Sequence, residues 1–220
     1  MTTSAIARLR ACAVLLLVAA GVAGVAAVRP GSPLRQSNLV RQRAVTDHPP
    51  PRRDAMIAVL GAAHPHPSLG DEARVFDQLA GSWDCDFTFY PGDGSVRHKK
   101  GELLLGWILD GRAVQDIWIT YPAEGERERR IGTSIRFFDT ALKQWRVVFV
   151  GPQFNYLVTV QGGLEGNRIV LNGVDTDGFR IRWSFNDIGP DSFVWRGEKS
   201  RDGGTSWTLE EEHHMRRRAG

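Results

Sequence analysis

The stretch GSWDCDFTFY at residues 81–90 alternates large apolar side chains with polar ones. Tryptophan, cysteine and phenylalanine hold every second position, and aspartate or threonine stands between them. Successive side chains of a β-strand point to opposite faces, so this pattern predicts a strand with one buried and one polar face. The residues PGDG at 91–94 follow directly and predict a turn.

The same alternation continues along the chain, interrupted by short clusters of Gly, Asp, Asn and Pro. Asp110-Gly111 is the strongest hairpin signal among these clusters. We predict an all-β fold, an antiparallel up-and-down barrel of about ten strands, because closure removes exposed sheet edges. The predicted strands span residues 81–90, 96–109, 114–121, 131–138, 145–150, 154–161, 168–172, 179–186, 192–200 and 206–215.

The aromatic residues mark the limits of the folded domain. All 20 lie between Phe76 and Trp207, and the first 75 residues contain none. We therefore place the barrel at residues 71–216 and a tail at residues 217–220. Residues 71–80, DEARVFDQLA, carry apolar side chains at helical spacing and predict a short amphipathic helix before the first strand.

The first part of the chain resembles a targeting segment. Residues 11–28 are uncharged and apolar, so residues 1–28 predict an export signal cleaved after Ala27 or, uncleaved, a membrane anchor. Residues 29–70 contain seven Pro, six Arg and no aromatic residue, which predicts a disordered linker. Alternatively, translation begins at Met56 and the sequence before it is mistranslated. The protein is exported or membrane-anchored in the first case and cytoplasmic in the second.

Charge and cysteine content exclude several classes of protein. Residues 1–70 carry eight Arg and two Asp, whereas residues 71–220 carry 20 Lys or Arg against 23 Asp or Glu. Because the domain is mildly acidic, we expect no nucleic-acid partner. Cys85 is the one cysteine of the domain, and its apolar neighbours two residues away predict a buried, inert thiol. The sequence lacks nucleophile-elbow, phosphate-loop and zinc-ligand motifs, and we expect no bound metal.

Several motifs suggest a family. The opening Gly81-Ser82-Trp83 resembles the Gly-x-Trp start of the calycins, which include lipocalins, fatty-acid-binding proteins and nitrobindins. The segments LDGRAV at 109–114, SFVW at 192–195 and SRDGGTSW at 200–207 resemble a bacterial family of lipocalin-like domains of unknown function. The resemblance covers residues 71–216 and implies a calycin-like barrel with a lumen.

The resemblance also implies roles for particular residues. Nitrobindin-like proteins bind haem through a histidine near the C-terminus, and His213 or His214 lies in a comparable place. This chain has DCD at 84–86 where the fuller Gly-x-Trp-x-Gly-x-Gly opening continues. We therefore expect no cofactor and keep haem as the alternative. In calycins an arginine from a late strand packs over the Gly-x-Trp ring, and Arg196 is the candidate for packing over Trp83.

Five tryptophans fall one to a predicted strand. A barrel of this size needs bulky side chains inside, so core packing is their ordinary explanation. Aromatic walls also suit a flat apolar ligand, which makes these residues candidates for ligand binding. They are Trp107, Trp118, Trp145, Trp183 and Trp195.

Three polar residues complete the candidate site. Arg136 and Arg182 each lie between apolar neighbours, so strand alternation places them on the opposite face from those neighbours. On a solvent face they are ordinary charges, whereas in the lumen they would form a carboxylate-binding cluster of the fatty-acid-binding type. His213 shares its face with Trp207 and Met215, as a core or rim histidine or as a ligand contact.

We predict a protein that binds a small apolar or carboxylate-bearing molecule in its lumen rather than an enzyme. Two alternatives remain open. One is a barrel enzyme of the cyclase, isomerase or hydratase type that uses His213 or Glu198 as a lumen acid or base. The other is an interaction domain with a filled interior.

Overall fold

The structure is a computed structural model that describes residues 53–219. The predicted export signal or anchor at residues 1–28 and the linker up to residue 52 lie outside the described residues. Within residues 53–219, no helix has the length and apolar character that crossing a membrane requires.

The described chain begins with helix α1 (Arg53–Leu60) and the two-residue strand β1 (Gly61–Ala62). Ten longer strands follow: β2 Gly81–Phe89, β3 Arg97–Ile108, β4 Ala113–Thr120, β5 Arg130–Asp139, β6 Gln144–Gly151, β7 Tyr156–Glu165, β8 Arg168–Val174, β9 Arg180–Asn186, β10 Ser192–Ser200 and β11 Thr208–Arg217. Each of the ten pairs antiparallel with the next, and β11 pairs with β2 to close the sheet. The predicted up-and-down barrel is therefore confirmed.

The turn between β3 and β4 shows why the Asp-Gly pair predicted a hairpin. Leu109, Asp110 and Gly111 have φ angles of 52°, 56° and 75°, which bring the two strands together tightly. The Gly111 N–H donates to the Ile108 carbonyl at 3.0 Å. A side chain at Gly111 would collide with the backbone of His64, so glycine is needed here for space as well as for its positive φ.

The segment before the barrel differs from the prediction of disorder up to residue 70. Strand β1 pairs with the end of β3, with Ala62 opposite Trp107. Further along, the His66 N–H donates to the Gly111 carbonyl at 2.9 Å. Composition indicated a chain too polar to fold alone, but backbone groups at the end of β3 supply the partners that it needs.

Residues 71–80 are also wound more tightly than predicted. The structure has two 3-10 turns, Asp71–Arg74 and Asp77–Leu79, instead of one amphipathic helix. Ala73, Phe76 and Leu79 are all buried at a spacing of three residues. A 3-10 helix has three residues per turn, so this spacing aligns the three side chains on one face.

The barrel has two different ends. The turns after β2, β4, β6, β8 and β10 lie at one end, which we call the mouth. The opposite end, the base, is closed by residues 71–80, whose Phe76 packs edge-on against Trp145 and Phe185 at 4.8 and 5.5 Å between ring centroids. The Trp83 indole N–H donates to the Leu79 carbonyl at 2.9 Å and fixes this segment to β2.

The arginine that covers Trp83 is Arg217, not Arg196. The Arg217 guanidinium lies 4.0 Å from the Trp83 ring centroid, and its Nη1 donates to the Ala80 carbonyl at 2.8 Å. Arg217 is the direct cross-strand partner of Trp83 and therefore shares its face. Arg196 instead donates to Glu212 at 2.7 Å on the outer face. Strand β11 thus runs into the predicted tail, whose first residue is structural.

Candidate ligand-binding site

Inward-facing aromatic rings line the half of the barrel nearest the mouth. Strand alternation directs one or two of them inward from each of six strands. Most of these rings are partly exposed, in contrast to the fully buried rings at the base. We call this group the aromatic cup; it consists of Phe87, Phe89, Trp118, Phe149, Tyr156, Trp183 and Trp195.

His213 lies within the aromatic cup and is only 3% exposed. Its ring stacks on Trp195, its cross-strand partner, with 4.9 Å between centroids and 12° between planes. Phe87, Phe89 and Trp118 lie 4.8, 5.3 and 5.9 Å from the same imidazole. The prediction that His213 faces inward is therefore correct, and four aromatic rings enclose it.

The two ring nitrogens of His213 differ in their partners. Nε2 lies 3.0 Å from the Glu211 carboxylate, whereas Nδ1 is buried and has no hydrogen-bond partner among the described residues. An ionised carboxylate only accepts hydrogen bonds, so in a neutral imidazole Nε2 carries the proton and Nδ1 presents a lone pair. A buried acceptor without a donor is unfavourable, and a donor from a bound molecule would remove that cost.

Glycines allow some of these rings to lie flat along the barrel wall. A side chain at Gly132 on β5 would collide with the Phe149 ring, and one at Gly197 would lie 2.9 Å from the Trp195 ring. The rings therefore occupy the space that side chains would otherwise fill on the inner face. This arrangement keeps two large rings away from the barrel axis.

Acidic groups surround Lys199 at the rim of the cup. Lys199 Nζ lies 2.6, 2.8 and 3.8 Å from the carboxylates of Asp175, Asp177 and Glu210. Burial alone raises the pKa of Asp175, but hydrogen bonds from Lys199 and Tyr156 outweigh it and hold that pKa below its ordinary value. Burial and the bond to Asp175 raise the pKa of Tyr156, so its hydroxyl remains a donor.

A buried ion pair lies below the cup. Arg136 and Asp116 are 2% and 0% exposed and contact each other directly, and the Ser134 N–H donates to Asp116 at 2.8 Å. The guanidinium also lies 4.6 Å from the Phe76 ring centroid. Its Nε and Nη1 have no hydrogen-bond partner among the described residues. Burial lowers the pKa of Arg136 to about 9, which leaves the guanidinium charged at neutral pH.

Arg182 does not join Arg136 in the lumen. It forms a bidentate pair with Glu198, with both distances 2.9 Å, and lies 4.2 Å from the Trp207 ring centroid. These contacts are on the outer face, because Ile181 and Trp183 on either side of Arg182 face inward. Of the two readings for Arg182, the solvent face is thus the one that the structure supports, and neither the lumen cluster of arginines nor Glu198 as a lumen acid is found.

Two of the predicted tryptophans belong to the base. The Trp107 indole donates to Asp77 at 2.8 Å, and the Trp145 indole donates to the Glu72 carbonyl at 3.3 Å. Both are buried against residues 71–80 and far from the mouth in strand register. The structure thus brings together four of the eight predicted site residues in one cup: Trp118, Trp183, Trp195 and His213.

Sequence reasoning missed Asp116 and Glu211. Asp116 stands between Val114 and Trp118 at the inward position of a strand, where a charged residue indicates a buried partner. Glu211 lies two residues before His213 on the same strand and therefore shares its face. In both cases the signal was a carboxylate at an otherwise apolar alternating position.

A surface groove lies on another part of the barrel. A groove of about 600 Å³ runs over the outer face of β5 to β8, and Ile135, Phe137 and Val174 are among its lining residues. None of its lining side chains has a buried polar atom that lacks a partner. Among the described residues, no group of three or more His, Cys, Asp or Glu side chains is placed to hold a metal ion.

A scan against known protein families and a search of curated proteins find no match for this chain. Among solved structures, the S-type phycobiliprotein lyase CPES from Guillardia theta is similar with a TM-score of 0.49 and 10% identity, over 66% of this chain and 91% of that chain. A redesigned β-barrel has a TM-score of 0.39 and 12% identity over 68% and 100% of the two chains. A de novo designed fluorescence-activating β-barrel has a TM-score of 0.34 and 15% identity, over 68% of this chain and 100% of that chain. Similarity at this level identifies no ligand and no activity, and the lipocalin-like family remains a prediction.

Proposed function

We propose that this protein binds a small amphipathic molecule with a flat apolar body in the aromatic cup. One observation carries the proposal: a buried histidine, whose Nδ1 has no partner within residues 53–219, lies among aromatic rings that are partly open to the mouth. Native proteins rarely bury a polar atom without a partner, and such atoms are concentrated at functional sites.

Binding would exchange contacts between rings for contacts with the ligand. Trp118 and Trp183 lie 5.6 and 5.8 Å from Trp195, so a flat molecule enters by separating one of these pairs. Each new stacked or edge-on contact contributes about 0.5–1.5 kcal/mol beyond the burial of apolar area. A donor on the ligand that reaches Nδ1 of His213 adds about 1–3 kcal/mol, since it removes the cost of an unpaired buried acceptor.

The pairing of His213 with Glu211 favours one second candidate, a lumen enzyme. A carboxylate that orients an imidazole leaves the other ring nitrogen free to accept a proton from a substrate. The haem alternative fits less well. The nitrogen without a partner is Nδ1, which four rings within 5.9 Å enclose, and this leaves little room for a wide macrocycle.

A dye titration tests the proposal. N-phenyl-1-naphthylamine should bind with a saturable fluorescence increase at about one site per chain. Trp118→Leu should weaken binding at least about fivefold, because it removes one ring of the cup. Trp207→Leu is the matched control, since Trp207 packs on Arg182 outside the barrel. No saturable signal, or equal loss in the two variants, would contradict binding in the cup.

A further inference from the structure

The outer wall of the barrel has a charged half and an almost uncharged half. Each of the strands β9, β10, β11, β2 and β3 directs at least two Asp, Glu, Lys or Arg side chains outward. The strands from β4 to β8 together direct only four outward, and these form two ion pairs, Arg146 with Asp139 and Arg168 with Glu165, at 3.7 Å each. We call the outward side of β4 to β8 the apolar face.

Large apolar side chains protrude from the apolar face. Ile135, Phe137, Leu157 and Val174 are 40%, 46%, 57% and 58% exposed. The groove of about 600 Å³ lies on this face, with Ile135 and Phe137 of β5 at one side and Val174 of β8 at the other. A contiguous apolar patch of this kind on a protein surface is typical of an interaction site.

The sequence of β6, the middle strand of the apolar face, also indicates cover on both sides. Residues 145–150 read WRVVFV and are apolar at every position but one. Val147 and Phe149 face the lumen, so Val148 and Val150 face outward. A strand covered on one face alternates apolar and polar residues, whereas a continuous apolar run is typical of a strand covered on both. A second layer is therefore expected over β6.

We propose that the apolar face binds a second copy of this chain, so that the protein forms a two-fold symmetric dimer. This inference goes beyond the proposed function and does not depend on it. In a two-fold dimer the same face contacts itself, so a protruding row on each copy can enter the groove of the other. Ile135 and Phe137 form such a row directly beside the groove.

Charge favours a second copy over other partners. An anionic membrane attracts Lys and Arg side chains that are free to approach it, but both arginines of the apolar face already pair with carboxylates. Residues 71–220 carry 20 Lys or Arg and 23 Asp or Glu, so two copies repel each other slightly as whole domains. They can approach most closely where their surfaces carry the least charge, which is the apolar face.

The size of the apolar face sets the expected strength of the dimer. A standard interface buries about 800 Å² per partner and uses about 20–30 residues on each side. Each strand from β4 to β8 directs four or five residues outward. Because the wall of a barrel is convex, about 15 of them can make contact, which corresponds to roughly 500 Å² per copy. This is near the lower limit for a specific interface, so we expect a reversible dimer with a micromolar Kd.

Sedimentation velocity of the full chain tests the proposal. Between about 1 and 200 µM protein, the mass should rise from 24.4 kDa toward twice that value. Raising the NaCl concentration from about 0.1 to 1 M should not dissociate the dimer, since salt screens ion pairs and not apolar contacts. Dissociation by salt would overturn the proposal, because it would mean that charged surfaces hold the copies together.

Complementary charges at one position test whether the face contacts itself. Val148 lies in the middle of the central strand, so a two-fold axis through the face places it near its own counterpart. Val148→Glu and Val148→Lys should each weaken dimerisation at least about tenfold, because two like charges then meet. An equimolar mixture of the two variants should restore the dimer. Val194→Glu is the matched control, since Val194 is a half-buried outward valine in the charged half.

Three further outcomes would overturn the proposal. The first is a chain that stays monomeric up to about 200 µM. The second is association that Val148→Glu leaves unchanged, which would place the contact elsewhere, for example in the apolar run at residues 11–28. The third is a loss of dimer in both single variants that mixing does not restore. Misfolding or a contact with a different surface gives this third result, whereas a self-contact at Val148 does not.

Discussion

Replacing Asp116 by asparagine should strongly destabilise the barrel, because it leaves the buried charge of Arg136 without a counter-ion. Asparagine keeps an acceptor for the Ser134 N–H, so the change isolates the charge. Breaking a fully buried pair on one side typically costs about 3–5 kcal/mol. Against a total stability of about 5–15 kcal/mol for a domain, that loss is a large fraction.

Urea unfolding followed by tryptophan fluorescence measures the effect. With a denaturant slope near 2 kcal/mol per molar, Asp116→Asn should lower the midpoint by about 2 M. Arg136→Met should cost a similar amount, since it leaves the Asp116 carboxylate buried alone. The double variant Asp116→Asn/Arg136→Met should be more stable than either single one, because apolar groups often replace buried pairs at little cost.

Two results would refute this reasoning. A midpoint shift below about 0.5 M for Asp116→Asn would mean that water or another group compensates the Arg136 charge. If the double variant lost as much unfolding free energy as the two single variants together, the two side chains would not act as a pair.

The remaining predictions concern the base and the core. Arg217→Ala should lower the free energy of unfolding in urea by about 2–4 kcal/mol, because it removes the cation over Trp83 and the hydrogen bond to the Ala80 carbonyl. A decrease of less than about 0.5 kcal/mol would make Arg217 an ordinary surface residue. Burial, with a smaller effect of Asp84, raises the pKa of Cys85 to about 12. In a Cys12→Ser background, iodoacetamide at pH 8 should therefore alkylate Cys85 only after unfolding, and rapid modification of the folded protein would contradict its burial. Gly132→Val should weaken binding of naphthyl ligands by displacing the Phe149 ring, and unchanged affinity would mean that this ring does not line the site.

The strand order and the barrel closure could be predicted from the sequence because both depend on local patterns. Alternation sets the face of each residue, and turns such as Asp110-Gly111 set the reversals. The inward direction of His213 follows from the same rule. Strand order, closure and the inward direction of His213 can therefore be predicted without knowing which residues distant in sequence contact each other.

The division of the lumen into a base and a cup could not be predicted in this way. Trp107 and Trp118 both face inward, and only the packing of residues 71–80 against one end distinguishes them. The pairing of Asp116 with Arg136 depends on strand register, which a charge pattern does not give. The sequence predicts a tail from Arg217 onward because a terminal run of arginines is typical of a solvated end, yet strand register places Arg217 opposite Trp83.

The indole N–H signals test binding in the aromatic cup most directly, because the seven tryptophans report on different parts of the barrel. In a proton–nitrogen correlation spectrum recorded during titration with 2-naphthylmethanol, three indole signals should shift together and saturate: those of Trp118, Trp183 and Trp195. The signals of the base and outer tryptophans should remain in place: Trp83, Trp107, Trp145 and Trp207. Shifts confined to this second group, or no shifts up to the solubility limit, would contradict the account.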